Sequence, residues 1–248
     1  SFSQSIFNKF DLCLSQNSET SKYLKILGAK KIKKIGNLKY AQIKLNFKDI
    51  YKENPKKYFK NKKIILTAIS THEGEEKFCG KTHLRLKKKF KNIVTVIIPR
   101  HIHRSETIKN DLIAMGLKVH LHTKMKKISD DVDIYIVNTF GETNSFLKLS
   151  KMAFMGKSIN ANGGQNPLEA ARLGIKIIHG PNIENFEEVY KMLKNLGIST
   201  QISSYRQLEN QISSFNRKKN YSKKIIKKLA YKGEIILNNS EKEINKYL

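Results

Sequence analysis

Six short runs of branched apolar residues, at 64–69, 93–98, 118–121, 133–137, 152–155 and 175–178, recur along the chain with stretches of helical spacing between them. Most are apolar without alternation, so a strand built from one must be covered on both faces. The intervening segments 74–90, 105–115, 143–150, 167–173 and 185–196 repeat apolar residues at helical spacing, and Gly116, Gly174 and Gly197 stand where such helices end. A βαβ series of this kind predicts an α/β fold, a Rossmann-like parallel sheet with helices on both faces.

A weaker unit comes first: a strand at 11–14, a helix at 18–27 ending at Gly28, and a strand at 31–35 ending at Gly36. The Lys-dense stretch 45–61 reads as a connection and candidate hinge. At the far end, 217–232 and 234–248 read as two helices joined at Gly233, the first carrying Ile225, Ile226 and Leu229 on one face. The expected division is 1–45, a preceding βαβ segment; 46–216, the ligand-binding α/β domain; and 217–248, helices that pack on it or cross to another domain. Because the chain opens at Ser1 without Met, it reads as a processed chain or a piece of a longer one.

The net charge of +27 makes an anionic partner the first consideration. Of the 48 basic residues only six are Arg, and the Lys are dispersed rather than clustered. Arg supplies the planar fork of specific phosphate and base recognition, so this pattern favours solvated Lys faces over a nucleic-acid surface. Dispersed Lys also suits an anionic membrane surface. No apolar run is long enough to span a bilayer, and 1–10 lack a signal-peptide pattern. Cys13 and Cys79 are too few for a disulfide framework and have no metal-ligand spacing; they read as small core residues of a chain in a reducing compartment.

In an open parallel sheet, ligands bind beyond the carboxyl ends of the strands. Four of those segments carry chemistry. After 64–69 comes Ser70-Thr71-His72-Glu73-Gly74-Glu75-Glu76, which is either a helix cap with dipole-matched carboxylates or a ligand loop using Thr71 and His72. After 93–98 comes Pro99-Arg100-His101, where Arg100 could take a phosphate or carboxylate through its fork, or simply be a surface charge. After 133–137 comes Asn138-Thr139-Phe140-Gly141-Glu142, a turn whose backbone could read a planar base, or a plain turn and helix cap. The fourth, Asn162-Gly163-Gly164-Gln165-Asn166-Pro167-Leu168-Glu169, either offers Gly163 and Gly164 amides to an anion at a helix start, with Glu169 placed to accept from the hydroxyls of a ribose, or is a Gly-rich loop with a Pro start and a dipole-paired Glu. No Walker loop, zinc-binding His-Glu-x-x-His pair, nucleophile turn or dinucleotide glycine signature is present.

Taken in order, these strings resemble one family, the 3-deoxy-D-manno-octulosonic acid (Kdo) transferases of lipopolysaccharide core assembly. The resemblance is carried by Gly36-Asn37-Leu38-Lys39-Tyr40, the Thr71–Glu76 string, Pro99-Arg100-His101, Phe140-Gly141-Glu142, Gly163-Gly164-Gln165-Asn166-Pro167-Leu168-Glu169, Gly180-Pro181 and Asn185-Phe186, over roughly 10–200. It implies the carboxyl-terminal, donor-binding half of a GT-B glycosyltransferase. The implied donor is CMP-Kdo, the implied acceptor a lipid A precursor, and the implied reaction an inverting transfer at the cytoplasmic face of the bacterial inner membrane. Neither metal nor other cofactor is implied, and no nucleic acid is expected. By the same resemblance Arg100 faces the donor phosphate or sugar, Thr139 to Gly141 line the cytosine, Gly163, Gly164 and Asn166 surround the phosphate, and Glu169 holds the ribose. Departing CMP would then be stabilised electrostatically.

Two positions depart from the family pattern: Gln165 stands where a histidine is usual, and Ala41 where an aspartate is usual. The family's catalytic base is proposed in an amino-terminal domain, so this chain alone is not expected to turn over. Two other readings are a different GT-B sugar-nucleotide enzyme, a UDP-sugar transferase or epimerase, and a basic nucleic-acid or anionic-surface binder, whose affinity would fall steeply with salt.

Overall fold

In a computed structural model of the chain, the residues described are 2–41, 59, 63–122, 128–215 and 222–248. Contacts divide the chain into two units, residues 1–46 with 226–248, and residues 47–225. The residues at the end of the chain thus group with those at its start. The expected hinge at 45–61 falls almost wholly outside the described residues.

The first unit begins with helix α1 (Phe2–Phe7), which the sequence reading did not anticipate. Strand β1 (Cys13–Ser15), helix α2 (Ser18–Ile26) and strand β2 (Ile32–Lys34) follow, with β1 and β2 parallel in register Cys13 to Ile32. Asn17 caps α2 by accepting the Thr20 amide at 2.7 Å. The chain's last helix is one continuous element, α9 (Ser222–Ile244), not two helices broken at Gly233. Glycine there is a packing device: a Cβ on Gly233 would stand 2.3 Å from the Tyr40 carbonyl oxygen, so the helix runs through and lets the backbone of 40–41 lie against it. Lys232 places its ammonium 4.6 Å from the centroid of the Tyr40 ring, and Ile236 closes against Gly36.

The second unit is a seven-stranded parallel sheet in the order β5-β6-β4-β3-β7-β8-β9. Its strands are β3 (Lys63–Thr71), β4 (Ile93–Pro99), β5 (Val119–Leu121), β6 (Ile134–Ile136), β7 (Met152–Met155), β8 (Lys176–His179) and β9 (Ser199–Gln201). Its helices are α3 (Glu75–Leu86), α4 (Ser105–Ala114), α5 (Thr143–Leu149), α6 (Leu168–Arg172), α7 (Glu187–Asn195) and α8 (Tyr205–Ser213). Leu66, Ala68, Ile134, Ile136, Met152 and Phe154 form one core with Cys79 and Leu86 of α3, Leu112 of α4 and Leu208 and Ile212 of α8. The alternate residues Thr67, Val96, Tyr135, Ala153 and Ile177 are buried as well, so both faces of the sheet are covered, as the unalternated runs required. Each fully buried large aliphatic contributes about 1.5–3 kcal/mol relative to exposure.

That core carries one polar network. His83 of α3 bonds Thr95 of β4 through Nδ1 at 3.0 Å and Asp133 through Nε2 at 3.3 Å. Asp133 also accepts from Lys87 at 3.0 Å and from the Lys118 amide at 3.0 Å. Burial pushes its pKa up, but His83, the Lys118 amide and Lys87 outweigh that and hold the carboxyl far below the ordinary range. The strand order reverses between β3 and β7. The first strand of the sheet is thus central, and the loops after β3 and β7 diverge at the switch point where open α/β sheets bind ligands.

Candidate functional site

Because β6, β4, β3 and β7 are consecutive in the sheet, all four segments singled out in the sequence emerge along one rim, at the strands' carboxyl ends. The rim is held by Glu75, the first residue of α3. Its fully buried carboxylate accepts four backbone protons: His72 at 2.9 Å and Lys157 at 2.8 Å on Oε2, and Ser158 at 2.9 Å and Ile159 at 3.0 Å on Oε1. A carboxylate satisfied by four N–H groups stitches the turn after β3 to the loop after β7 across the switch point. Ser158 extends the stitch, donating to the Met155 carbonyl at 2.5 Å and accepting the Gly180 amide at 2.8 Å. Glu76, also buried, accepts from Thr71 Oγ1 at 2.9 Å and from Arg104 at 3.2 Å.

The acidic helix start is therefore neither an exposed cap nor a ligand loop in its carboxylates, and the Thr71 hydroxyl is spent on Glu76. His72 is half-buried beside them, its Nδ1 3.1 Å from the Ser70 carbonyl, so that nitrogen carries the proton. Pro99 is buried at the end of β4, while Arg100 emerges exposed, with its amide donating to the Thr71 carbonyl at 3.1 Å.

The turn after β6 splits into two roles. Glu142 is buried, accepting from His122 Nε2 at 3.0 Å and from the Thr139 hydroxyl, and His122 Nδ1 lies 2.7 Å from the Tyr135 hydroxyl. The side chains of Thr139 and Glu142 thus face inward and brace the turn. Phe140, 73% exposed, and Gly141 are what the turn presents outward.

The loop after β7 differs most from expectation. Gly163 and Gly164 adopt φ of 103° and 66°, in the left-handed region open to glycine. That bend turns their amides away from any ligand: Gly163 N–H donates to Glu184 at 2.7 Å and Gly164 N–H to the Lys157 carbonyl at 3.0 Å. In this structure both amides expected to cradle an anion are engaged within the protein. Asn166 caps the following turn, accepting the Leu168 amide at 3.1 Å, and α6 is only five residues long. Tyr190 of α7 supports the loop from below, donating to the Gln165 carbonyl at 2.9 Å with its ring 4.3 Å from that of His179. Glu169 is exposed in the first turn of α6. Of the predicted site residues, His72, Arg100, Phe140, Gly141 and Glu169 are accessible on the rim; the others are buried or capping.

Sequence reasoning missed Glu75, Ser158 and Tyr190. The acid at a helix start was visible, but its partners lie 82 to 84 residues away along the chain. Sequence reasoning also gave no role to His101, within the Pro99-Arg100-His101 string, and did not single out His103; the His101 ring lies 5.8 Å from that of His72 and 5.7 Å from that of His103. Among the described residues no three His, Cys, Asp or Glu side chains gather as a metal site. Cys79 is buried, and burial first, then Glu75 and Glu76, push its thiol well up, away from reactivity. Cys13 is half-buried. No described helix is long and apolar enough to cross a membrane.

No protein-family model matches the chain. It is 31% identical over 213 residues to a 3-deoxy-D-manno-octulosonic acid transferase of Rickettsia bellii, an alignment covering 84% of this chain and 50% of that protein. It is 26% identical over 193 residues to the transferase of the same name in Haemophilus influenzae, covering 77% and 45%. The chain spans about half the length of the curated relatives it matches. Among solved structures, the C-terminal CMP-Kdo binding domain of WaaA from Acinetobacter baumannii superposes with a TM-score of 0.60 at 18% identity, covering 80% of this chain and 96% of that one. The MnaA-UDP structure from S. aureus superposes at 0.56 with 16% identity, covering 95% and 61%. The fold is that of the carboxyl-terminal domains of GT-B enzymes, as the sequence implied, and the resemblance to the Kdo transferases is borne out.

Proposed function

Proceeding from kinship with the Kdo transferases, we propose that this chain is the donor-binding half of such an enzyme, and that residues 47–225 bind CMP-Kdo at the carboxyl rim of the sheet. The observation that carries the reading is the rim itself: a switch point locked by Glu75, with an exposed cation, an exposed aromatic ring and an exposed carboxylate on successive loops. Those three chemistries suit the three parts of a sugar nucleotide. Arg100 pairs with the phosphate, Phe140 stacks on the cytosine while Gly141 admits its edge, and Glu169 accepts from the ribose hydroxyls. Charge stabilisation of departing CMP then rests on Arg100 and its neighbours rather than on the Gly163 and Gly164 amides.

The whole protein, on this reading, transfers Kdo with inversion to a lipid A precursor at the cytoplasmic face of the inner membrane, as a peripheral enzyme whose Lys-rich surface favours anionic lipid. Metal and other cofactors have no place in it. Similarity of fold to UDP-binding structures leaves the base open, so the test is a calorimetric titration with CMP, UDP and a short oligonucleotide at two salt concentrations. CMP binding that excludes UDP and survives salt is the expected result. Preference for UDP would replace the donor with a uridine one, and oligonucleotide binding alone would overturn the reading.

A further inference from the structure

The ends of β3 and β4 bring together more positive charge than one phosphate contact requires. His101 stands between two other imidazoles, its ring 5.8 Å from that of His72 on the turn after β3 and 5.7 Å from that of His103 on its own turn. Arg100 precedes it, exposed, and Arg104 follows on the same turn. The charged groups acting on His101 are therefore of one sign. The carboxylates of this neighbourhood are occupied: Glu76 by Arg104 and Thr71, Glu75 by four backbone amides, while Glu73 is exposed on its turn.

An imidazole so placed holds a proton less readily than a free one. Its ring is exposed, yet partial desolvation, then His72, His103, Arg100 and Arg104, lower its pKa below the ordinary histidine value. An anion entering the cluster reverses the sign of the field, because it cancels the repulsion and rewards a proton on His101. Each unit by which a ligand raises that pKa is a tenfold gain in its affinity at low pH.

We propose that His72, His101 and His103, with Arg100, form an anion subsite in which His101 takes up a proton as the ligand binds, so that this turn selects ligands by charge. The inference rests on the proposed donor reading for its occupant, an anionic group of the sugar nucleotide, either the phosphate or the carboxylate of the sugar. Neither His101 nor His103 is needed for base or ribose recognition, so the two readings fail separately.

The test is calorimetry of the full chain with CMP, with free Kdo sugar and with cytidine, in two buffers of different ionisation enthalpy, between pH 7.0 and 8.5. In that range the CMP phosphate is already close to fully ionised and adds little pH dependence of its own. The expected result is uptake approaching one proton with CMP or with the free sugar, affinity falling up to tenfold per pH unit, and neither effect with cytidine. Uptake with CMP places the phosphate at the cluster; uptake with the sugar alone places the carboxylate there. His101→Gln should abolish the uptake and flatten the pH dependence with an unchanged thermal midpoint, and His103→Gln, which removes one repelling neighbour, should lessen it. Equal uptake in wild type and His101→Gln overturns the proposal, as does binding with no pH dependence. If no nucleotide or sugar binds, the donor reading fails, and an NMR titration of the His101 ring with and without inorganic phosphate decides the subsite: a raised pKa supports it and an unchanged one overturns it.

Discussion

Glu75 accepts the amide proton of Ser158 at 2.9 Å across the point where the sheet changes direction, although 83 residues separate them. A buried carboxylate that satisfies four backbone donors cannot be replaced quietly, since any substitute leaves several of those amides unpaired. Glu75→Gln keeps the shape but turns an NH2 group toward two donors. The expected cost is about 3–5 kcal/mol, in the range for breaking a buried charged network, read as a fall in the urea midpoint. CMP affinity should fall with it, because the loops of β3 and β7 lose their common anchor.

Phe140 tests the base pocket with little structural cost. Its ring is 73% exposed, so Phe140→Ala should leave the thermal midpoint within a degree or two while weakening CMP binding by about 1–3 kcal/mol, the usual worth of one base on one aromatic. Unchanged affinity would remove the stacking assignment.

On the proposed reading, Arg100 and Glu169 divide the rest of the ligand. Arg100→Ala should hurt CMP binding more than cytidine binding, and equal losses would sink its phosphate role. Glu169→Ala should weaken both CMP and cytidine, by about 1–3 kcal/mol for lost charge-assisted hydrogen bonds, and should spare the deoxyribose analogues. Calorimetry with all three ligands separates these outcomes.

Asp133 ties α3 to the sheet edge and makes stability acid-sensitive. Its pKa in the folded chain is lowered, so its contribution is fully present above the unfolded value near 4 and is lost as pH falls from there through the folded value. The predicted signature is a urea midpoint that drops below about pH 4 in the wild type and drops less steeply in Asp133→Asn, which should itself be less stable by about 2–4 kcal/mol at pH 7.

Gly233→Ala reverses a familiar rule. Alanine in a helix interior is ordinarily favoured over glycine by up to about 1 kcal/mol, yet here the added methyl would sit 2.3 Å from the Tyr40 carbonyl oxygen. The expected net effect is destabilisation of about 1–3 kcal/mol, the usual cost of overpacking, with proteolysis beginning in α9 or 2–41. A stabilised variant would mean that the helix can move away freely.

What the sequence disclosed depended on how local the cause was. The strand at 152–155 was legible to the residue because four apolar side chains buried on both faces leave no other reading. Strand β9, Ser-Thr-Gln at the sheet edge, was missed: three polar residues with one covered neighbour carry no hydrophobic signal. Helix α8 was missed for a similar reason, having only Leu208 and Ile212 as buried apolar anchors. The rim was legible in outline, since turn chemistry at strand ends is local. The use made of each polar group was not: whether the Gly163 amide meets a ligand or Glu184, and whether Glu142 faces a base or His122, are settled by partners about 20 residues distant.

The smaller unit joins the two ends of the chain, 1–46 and 226–248. During synthesis the opening strand, helix and strand must wait until the last residues emerge before Gly233 can meet Tyr40. At about 5–20 residues per second, that delay is some 10–40 s, longer than a hairpin or a helix needs to form many times over. For that interval the first segment is a nascent chain without its partner, and a transient guest for any chaperone at the ribosome exit. A nonsense codon before Gly233 would leave it permanently so.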